Sequence, residues 1–299
     1  MIDVQESTER LRAHLEALTV TIGERSISTP ENLRKAQEYI EAAYRESGFH
    51  VTTEPYRFQH IEVANVVAQI DFRERPSNRY LLGAHYDSVV GTVGADDNAS
   101  AVAVQLETAR QLKAIHGRKK LDLSVRFVSF ALEENPAFDS PYMGSKVHAK
   151  GMKDRGEKLD GMICLEMVGY TCRRPGCQSY PFPLRFMGYP KEGDFIGIVG
   201  NTQSRGLTGS LLKAFRRNRD LPAVPLTVPF NGWVLPSVRL SDHSAFSDEG
   251  FRAVMVTDSA FFRNPHYHLA SDTMETLDYP FMAELVKSLI TFFCTDEQK

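Results

Sequence analysis

Residues 123–134 read LSVRFVSFALEE. The run Leu123–Leu132 carries the β-branched and aromatic side chains that suit a buried, pleated strand. Two acids, Glu133 and Glu134, close it. Carboxylates at the end of a buried strand must meet water, a cap or a cation, because an unpaired charge is costly to bury. An isolated Glu-Glu pair is usually a solvated helix face. This one gains weight from what the chain carries at the ends of its other apolar runs.

Working outward, His85 follows the run Arg79–Ala84, and Glu166 lies near the end of Gly161–Val168. Further strands are expected at His50–Glu54, Ala64–Asp71, Phe195–Val199 and Ala253–Thr257. Pro30–Ser47 has a helical period through Leu33, Ala36, Tyr39, Ile40 and Tyr44, with Thr29 as N-cap, Pro30 in the first turn and Gly48 as the stop. Helices are also expected at Asn98–Ile115, Ser145–Met152, Leu207–Asn218 and Tyr279–Phe293. Strands alternating with helices predict an α/β fold, a mostly parallel sheet covered on both faces. One domain, 1–299, is expected, with an N-terminal helical segment of about 1–48 packed on it. In such sheets ligands gather beyond the carboxyl ends of the strands, where these His and Glu residues fall. The Pro/Gly-rich stretch Tyr170–Gly193 reads as a long functional loop.

Composition narrows the function. The 299 residues are 42% hydrophobic, enough for a sizeable core, and 35 basic against 38 acidic residues give a net charge of −3. No basic face stands out, which argues against nucleic acid. No apolar run approaches the ~20 residues that span a bilayer, and Met1–Arg12 lacks a signal-like core. A cytoplasmic location is expected, with secretion after removal of a leader as the alternative. Among Cys164, Cys172, Cys177 and Cys294 no zinc-type Cys-x-x-Cys pair occurs. Cys172 and Cys177 flank a turn and read either as a hairpin disulfide or as two free thiols.

Three further clusters carry metal-type side chains. In His85-Tyr86-Asp87, alternate residues of an extended segment face the same way, so Asp87 can orient the His85 ring. In Gly94-Ala95-Asp96-Asp97-Asn98, two acids precede a helix and read either as an N-cap cluster or as a carboxylate bridging two metal ions. Asn264–Thr273 offers His266 and His268. Glu166, inside an apolar run, needs a partner, either a basic side chain or a cation.

These blocks, GAHYDS at 83–88, GADDNAS at 94–100, Glu-Glu at 133–134, EMVG at 166–169, Ser-Asp-His at 241–243 and Tyr-His-x-x-x-Asp-Thr at 267–273, resemble in order the co-catalytic zinc exopeptidases of metallopeptidase family 28. That family includes bacterial leucine aminopeptidases, with glutaminyl cyclases as relatives. The resemblance covers about residue 30 to the end. It implies a three-layer α/β/α fold with a mixed, mostly parallel sheet. It further implies two zinc ions, with cobalt or manganese as substitutes. His85 and Glu166 would hold one ion, Glu134 and His268 the other. Asp96 would bridge them, followed by a cis Asp96–Asp97 peptide. Glu133 would be the general base, and Asp87 would support His85. The family usually has Asp where this chain has Glu166, one methylene longer.

Two divalent ions ~3.5 Å apart repel by roughly 19 kcal/mol at an effective dielectric of ~20. Asp96, Glu134, Glu166 and one hydroxide would neutralise them. The function expected is a dizinc aminopeptidase that cleaves the first bond of a peptide with a free N-terminus, through a metal-bridging hydroxide and Glu133. The alternatives are a carboxypeptidase or dipeptidase, which would recognise a carboxylate through Arg173, Arg174 or Arg263, and a one-zinc glutaminyl cyclase. Val228–Val238 and Tyr170–Gly193 are expected to shape the substrate pocket.

Overall fold

In the computed structural model, which describes residues 2–295, the quoted run becomes strand β4 (Leu123–Phe130). It pairs antiparallel with β2 (Ile61–Asp71) and parallel with β3 (Asn78–His85). Beyond β3 lie β5 (Gly161–Glu166) and β8 (Ala253–Thr257), each parallel to its neighbour. Then β6 (Ile196–Asn201) runs antiparallel to β8, with β7 (Ala223–Val228) parallel to β6. At the other edge, β1 (Val51–Phe58) pairs antiparallel with β2. The eight-stranded order is β1-β2-β4-β3-β5-β8-β6-β7. This is the mixed, mostly parallel α/β sheet expected.

Burial explains the sequence patterns. β5 and β8 are buried along their whole length and show no alternation, because helices cover both faces. β1 is partly exposed and tolerates Pro55, as only an edge strand can. One layer holds α1 (Val4–Leu15), α2 (Pro30–Glu46), α3 (Ala101–Ile115), α5 (Arg205–Phe215) and α7 (Tyr279–Phe293), joined through a core that includes Leu11, Ile40, Val104, Phe215 and Phe292. The opposite layer holds α4 (Gly144–Asp154) and α6 (His243–Asp248), which pack Ala149, Met152 and Phe246 onto Leu81, Val128 and Met162. The N-terminal helical segment docks through α1 onto α7 and α3.

Local departures have local causes. Thr29 stands at the N-cap of α2, but its hydroxyl donates to the Glu24 carbonyl at 2.8 Å and caps no amide of the helix. Gly48 ends α2 at φ +84, as expected of a stop glycine. β7 and α6 were not expected from the pattern. Pro225 interrupts the one, and the other is six residues long, too short to show a period. The helix expected from Asn98 begins instead at Ala101, after an irregular turn over Ala95–Ser100 in which Asp97 and Asn98 leave helical geometry. The cis peptide in this turn is Asp97–Asn98, one residue beyond the bond expected.

Candidate active site

The site lies beyond the carboxyl ends of β3, β4 and β5, which are adjacent and parallel. His85 is the last residue of β3, Glu166 the last of β5, and Glu133 and Glu134 follow β4. His268 enters from the loop before α7. Left-handed backbone occurs here at Leu132 (φ 58), Met167 (φ 46) and His268 (φ 58). Two of these immediately adjoin the glutamates, Leu132 before Glu133 and Met167 after Glu166. Such conformations are sparsely populated by non-glycine residues and persist only where surrounding contacts hold them.

Asp97 is the centre. Its Oδ1 lies 3.4 Å from His85 Nε2 and its Oδ2 lies 3.2 Å from His268 Nε2. His85 Nε2 is 3.6 Å from Glu166 Oε1, and His268 Nε2 is 3.5 Å from Glu134 Oε1. Two groups result, His85–Asp97–Glu166 and Asp97–Glu134–His268, each with one ligand atom per residue inside a 4.8 Å span. His85 Nε2 and Glu134 Oε1 are buried and make no hydrogen bond within the protein. Buried atoms of this kind are normally satisfied. Their convergence, with the nitrogen and oxygen donors that divalent zinc takes, fits a pair of cations.

This geometry corrects one assignment. Asp96 does not face the histidines. Its Oδ1 accepts the Gly169 amide at 2.9 Å and its Oδ2 accepts Asn264 Nδ2 at 2.7 Å. Burial and the Asp258 carboxylate beside it push its pKa well above the usual carboxylate range. Neighbours in a tight turn point to opposite sides, so Asp97 takes the shared position and Asp96 the packed one. His85, Glu134, Glu166, His268 and Glu133 do come together around Asp97, with Glu133 Oε2 3.8 Å from His85 Nε2.

The supporting contacts are carboxylates that clamp backbone amides. Asp87 accepts the Glu133 and Glu134 amides at 3.0 and 2.9 Å. The same carboxylate approaches His85 Nδ1 at 3.3 Å, without the alignment of a hydrogen bond. Asp272 does the same for the other turn, accepting the Asp96 and Asp97 amides at 2.9 and 3.1 Å. Asn98 bridges to the Glu166 segment, donating to the Leu165 carbonyl and accepting the Met167 amide. Ser241 donates to Glu166 Oε2 at 2.7 Å. Asp272 and Ser241 stand inside matched blocks, so their presence was legible, but no spacing rule told what they would hold. Asp242 is fully buried with both oxygens unpartnered, and burial lifts it to about 7. His266 hydrogen-bonds Ser271 at its own loop.

Electrostatics follow from packing several acids around two imidazoles. Burial, opposed in part by His85, lifts Glu133 well above the carboxylate range, and Glu134 and Glu166 reinforce the rise. Burial together with Asp97 lifts Glu134 to about 8. Burial works against the His268 imidazolium, yet Asp97 and Glu134 carry it up to about 10. Asp97 is itself held below its usual range in spite of burial, because both imidazoles stand beside it and favour its charged form.

Beside Glu166 opens an apolar cleft of about 860 Å³, counting space open to solvent. Tyr180, Leu184 and Tyr189 from the expected 170–193 loop form one wall, Val238 and Leu240 another, and Tyr267 stands at its edge next to His268. The loop is fastened by a Cys172–Cys177 disulfide and by paired backbone bonds between Cys172 and Gly193.

The chain is similar to known proteins in both sequence and fold. The profile of peptidase family M28 matches residues 65–293. The uncharacterized protein YfbL of Escherichia coli is 38% identical over 293 residues, covering 95% of this chain and 87% of that protein. Leucine aminopeptidase 1 of Arthroderma otae is 25% identical, over 86% of this chain and 64% of its own length. Among solved structures, the LapA aminopeptidase of Legionella pneumophila superposes with a TM-score of 0.73 at 18% identity, covering 97% of this chain and 72% of that one. The glutaminyl cyclase of Tannerella forsythia gives 0.67 at 18%, covering 99% of both. At such identities these two structures establish the fold alone.

Proposed function

The chain belongs to peptidase family M28, and on that premise we propose that it is an aminopeptidase working with two divalent ions, zinc by preference. The observation that carries this reading is the pair of histidine–carboxylate groups sharing Asp97. His85, Asp97 and Glu166 would hold one ion, and Asp97, Glu134 and His268 the other. When bound, the ions would polarise the substrate carbonyl and acidify an attacking water. Asp97, Glu134 and Glu166 bring three negative charges, so the shared-carboxylate arithmetic stands with Asp97 in place of Asp96.

Asp87 and Glu133 both belong to neither group, but Asp87 is committed to two backbone amides, which leaves Glu133 as a carboxylate free to act on the water. Its Oε2 faces His85, and its backbone is locked by Asp87. It would accept the proton of the attacking water and return it to the leaving amine. The surplus of carboxylates suits a free α-ammonium. The apolar cleft beside Glu166 suits an uncharged side chain at the N-terminal position. Two of the three arginines that a carboxypeptidase could use have partners elsewhere. Arg263 is buried and donates to Gln178 and to the Phe195 and Tyr170 carbonyls, and Arg173 lies 3.4 Å from Asp278. A two-group site also exceeds what a one-zinc cyclase requires.

The test is a panel of peptides with free and acetylated N-termini, offered to stripped protein with zinc, cobalt or manganese restored. Release of single N-terminal residues from free peptides only is expected. Cleavage confined to blocked peptides, or cyclisation of N-terminal glutamine without hydrolysis, would overturn the assignment.

A further inference from the structure

Arg25 lies on the link between α1 and α2, outside every matched block, and is completely buried. Its guanidinium has no carboxylate within ion-pair distance among the described residues; its bonds all go to carbonyls. Nε donates to Tyr86 at 2.8 Å, Nη1 to Leu18, Gly23 and Val93 at 3.1, 3.1 and 2.7 Å, and Nη2 to Gly94 at 3.0 Å. The Arg25 amide donates to Ser88 Oγ at 3.0 Å, the Ser88 amide returns to the Arg25 carbonyl at 3.3 Å, and Ser88 Oγ donates to the Thr92 carbonyl.

Two of these acceptors bracket the site. Tyr86 sits between His85 and Asp87, while Gly94 opens the turn that presents Asp97. The approach leaves no slack, since a Cβ at Gly94 would stand 2.1 Å from the Asp97 carbonyl. Desolvating a guanidinium is expensive, and neutral carbonyls offset that less well than a carboxylate would. The acids whose charges act on it are Asp87, Asp272 and Asp97, the two amide clamps and the shared residue of the site, while burial itself draws it down to about 10.

We propose that Arg25 is a positioning residue for the cation pair, its planar fork fixing the distance between the end of β3 and the Asp97 turn. The inference rests on the two-ion reading above. It requires arginine in particular. Lysine keeps the charge but has three donors on a compact ammonium and cannot span the same carbonyls.

The test compares Arg25→Lys, Ser88→Ala and a distant core variant, Phe215→Leu, with the wild type. Each is stripped of metal, melted, and titrated with Zn²⁺ by calorimetry and with Co²⁺ by visible absorption. Arg25→Lys is expected to fold, to bind the ions roughly 10- to 100-fold more weakly, as supporting residues of metal sites do when altered, and to change the Co²⁺ spectrum. Phe215→Leu should melt lower yet bind as wild type, separating position from mere stability. A folded Arg25→Lys protein with wild-type affinity and spectrum overturns the proposal. Should that variant not fold, Ser88→Ala decides, weaker binding supporting the proposal and wild-type binding overturning it. If the wild type itself takes up no divalent ion, the two-ion reading falls and this inference with it.

Discussion

At the scale of single residues, the division between Glu133 and Glu134 and that between Asp96 and Asp97 are the same problem. Each is a pair of adjacent acids that residue type cannot tell apart. Glu134 faces His268 and Glu133 faces His85. Glu133→Gln should keep its metal content and lose turnover by about 10²- to 10⁴-fold, the worth of a positioned acid–base group. Metal analysis and steady-state rates on one preparation check it, and near-normal turnover would remove Glu133 from the role. The second pair separates more sharply. Asp97→Asn should lose uptake at both positions by more than about 100-fold, because even supporting residues account for 10- to 100-fold. Asp96→Asn should retain the ions while melting lower, by about 1–3 kcal/mol for disturbing the buried bonds to Gly169 and Asn264. Equal metal loss in both variants would contradict the division.

At the scale of elements, the site is a set of strand ends held by side chains from elsewhere. The turn after β4 is fixed from beneath by Asn65, which accepts the Ala131 amide and donates to the Gly144 carbonyl at the start of α4. Gly144 has no room for a side chain. A Cβ there would stand 2.3 Å from the Ala131 carbonyl and 2.4 Å from Asn65 Oδ1. Gly144→Ala should cost about 1–3 kcal/mol through overpacking and move the Glu133–Glu134 turn. Thermal melts read the first effect and Co²⁺ absorption the second; an unshifted melting temperature would show that α4 yields freely. Strands β3, β4, β5 and β8 were legible because each is a mostly apolar run without a proline, whereas β7, interrupted by Pro225, was not. The bounds of the Asp97 turn were not, because its irregular backbone is held by Asp272 and Asn98, distant in sequence or paired with distant partners.

At the scale of the whole molecule, the metal-free protein concentrates buried acids. Burial first, and neighbouring acids second in several cases, lift Glu134 to about 8, Asp272 and Asp242 to about 7 and Asp258 to about 6. In the unfolded chain such groups titrate near ~4. The folded state therefore binds more protons than the unfolded state between these limits. Their contribution to stability is full below about pH 4 and is lost as pH rises through about 6 to 8. His268, raised to about 10, has the same sign. His14 and His243, both lowered to about 4 chiefly by burial, act oppositely but at lower pH, between about 4 and 6.5. Calorimetry of stripped protein should show the melting temperature falling from about pH 6.5 to about 8.5, with saturating Zn²⁺ removing the fall. A metal-free melting temperature that rises over that window would contradict the balance. No helix among the described residues is long and apolar enough to cross a membrane.

The chain's own order of residues determined the alternation of strands and helices, the placement of His85, Glu133, Glu134 and Glu166 at strand ends, and the block pattern of peptidase family M28. These are local matters of period and spacing, and a period is written in consecutive residues. Tertiary structure alone decided that Asp97 and not Asp96 is shared, that Asp87 and Asp272 clamp amides, and that a buried Arg25 ties two loops together. Each of those depends on the direction of a side chain across tens of residues of intervening chain. Direction is settled only when the packed core leaves a buried polar group a single set of partners.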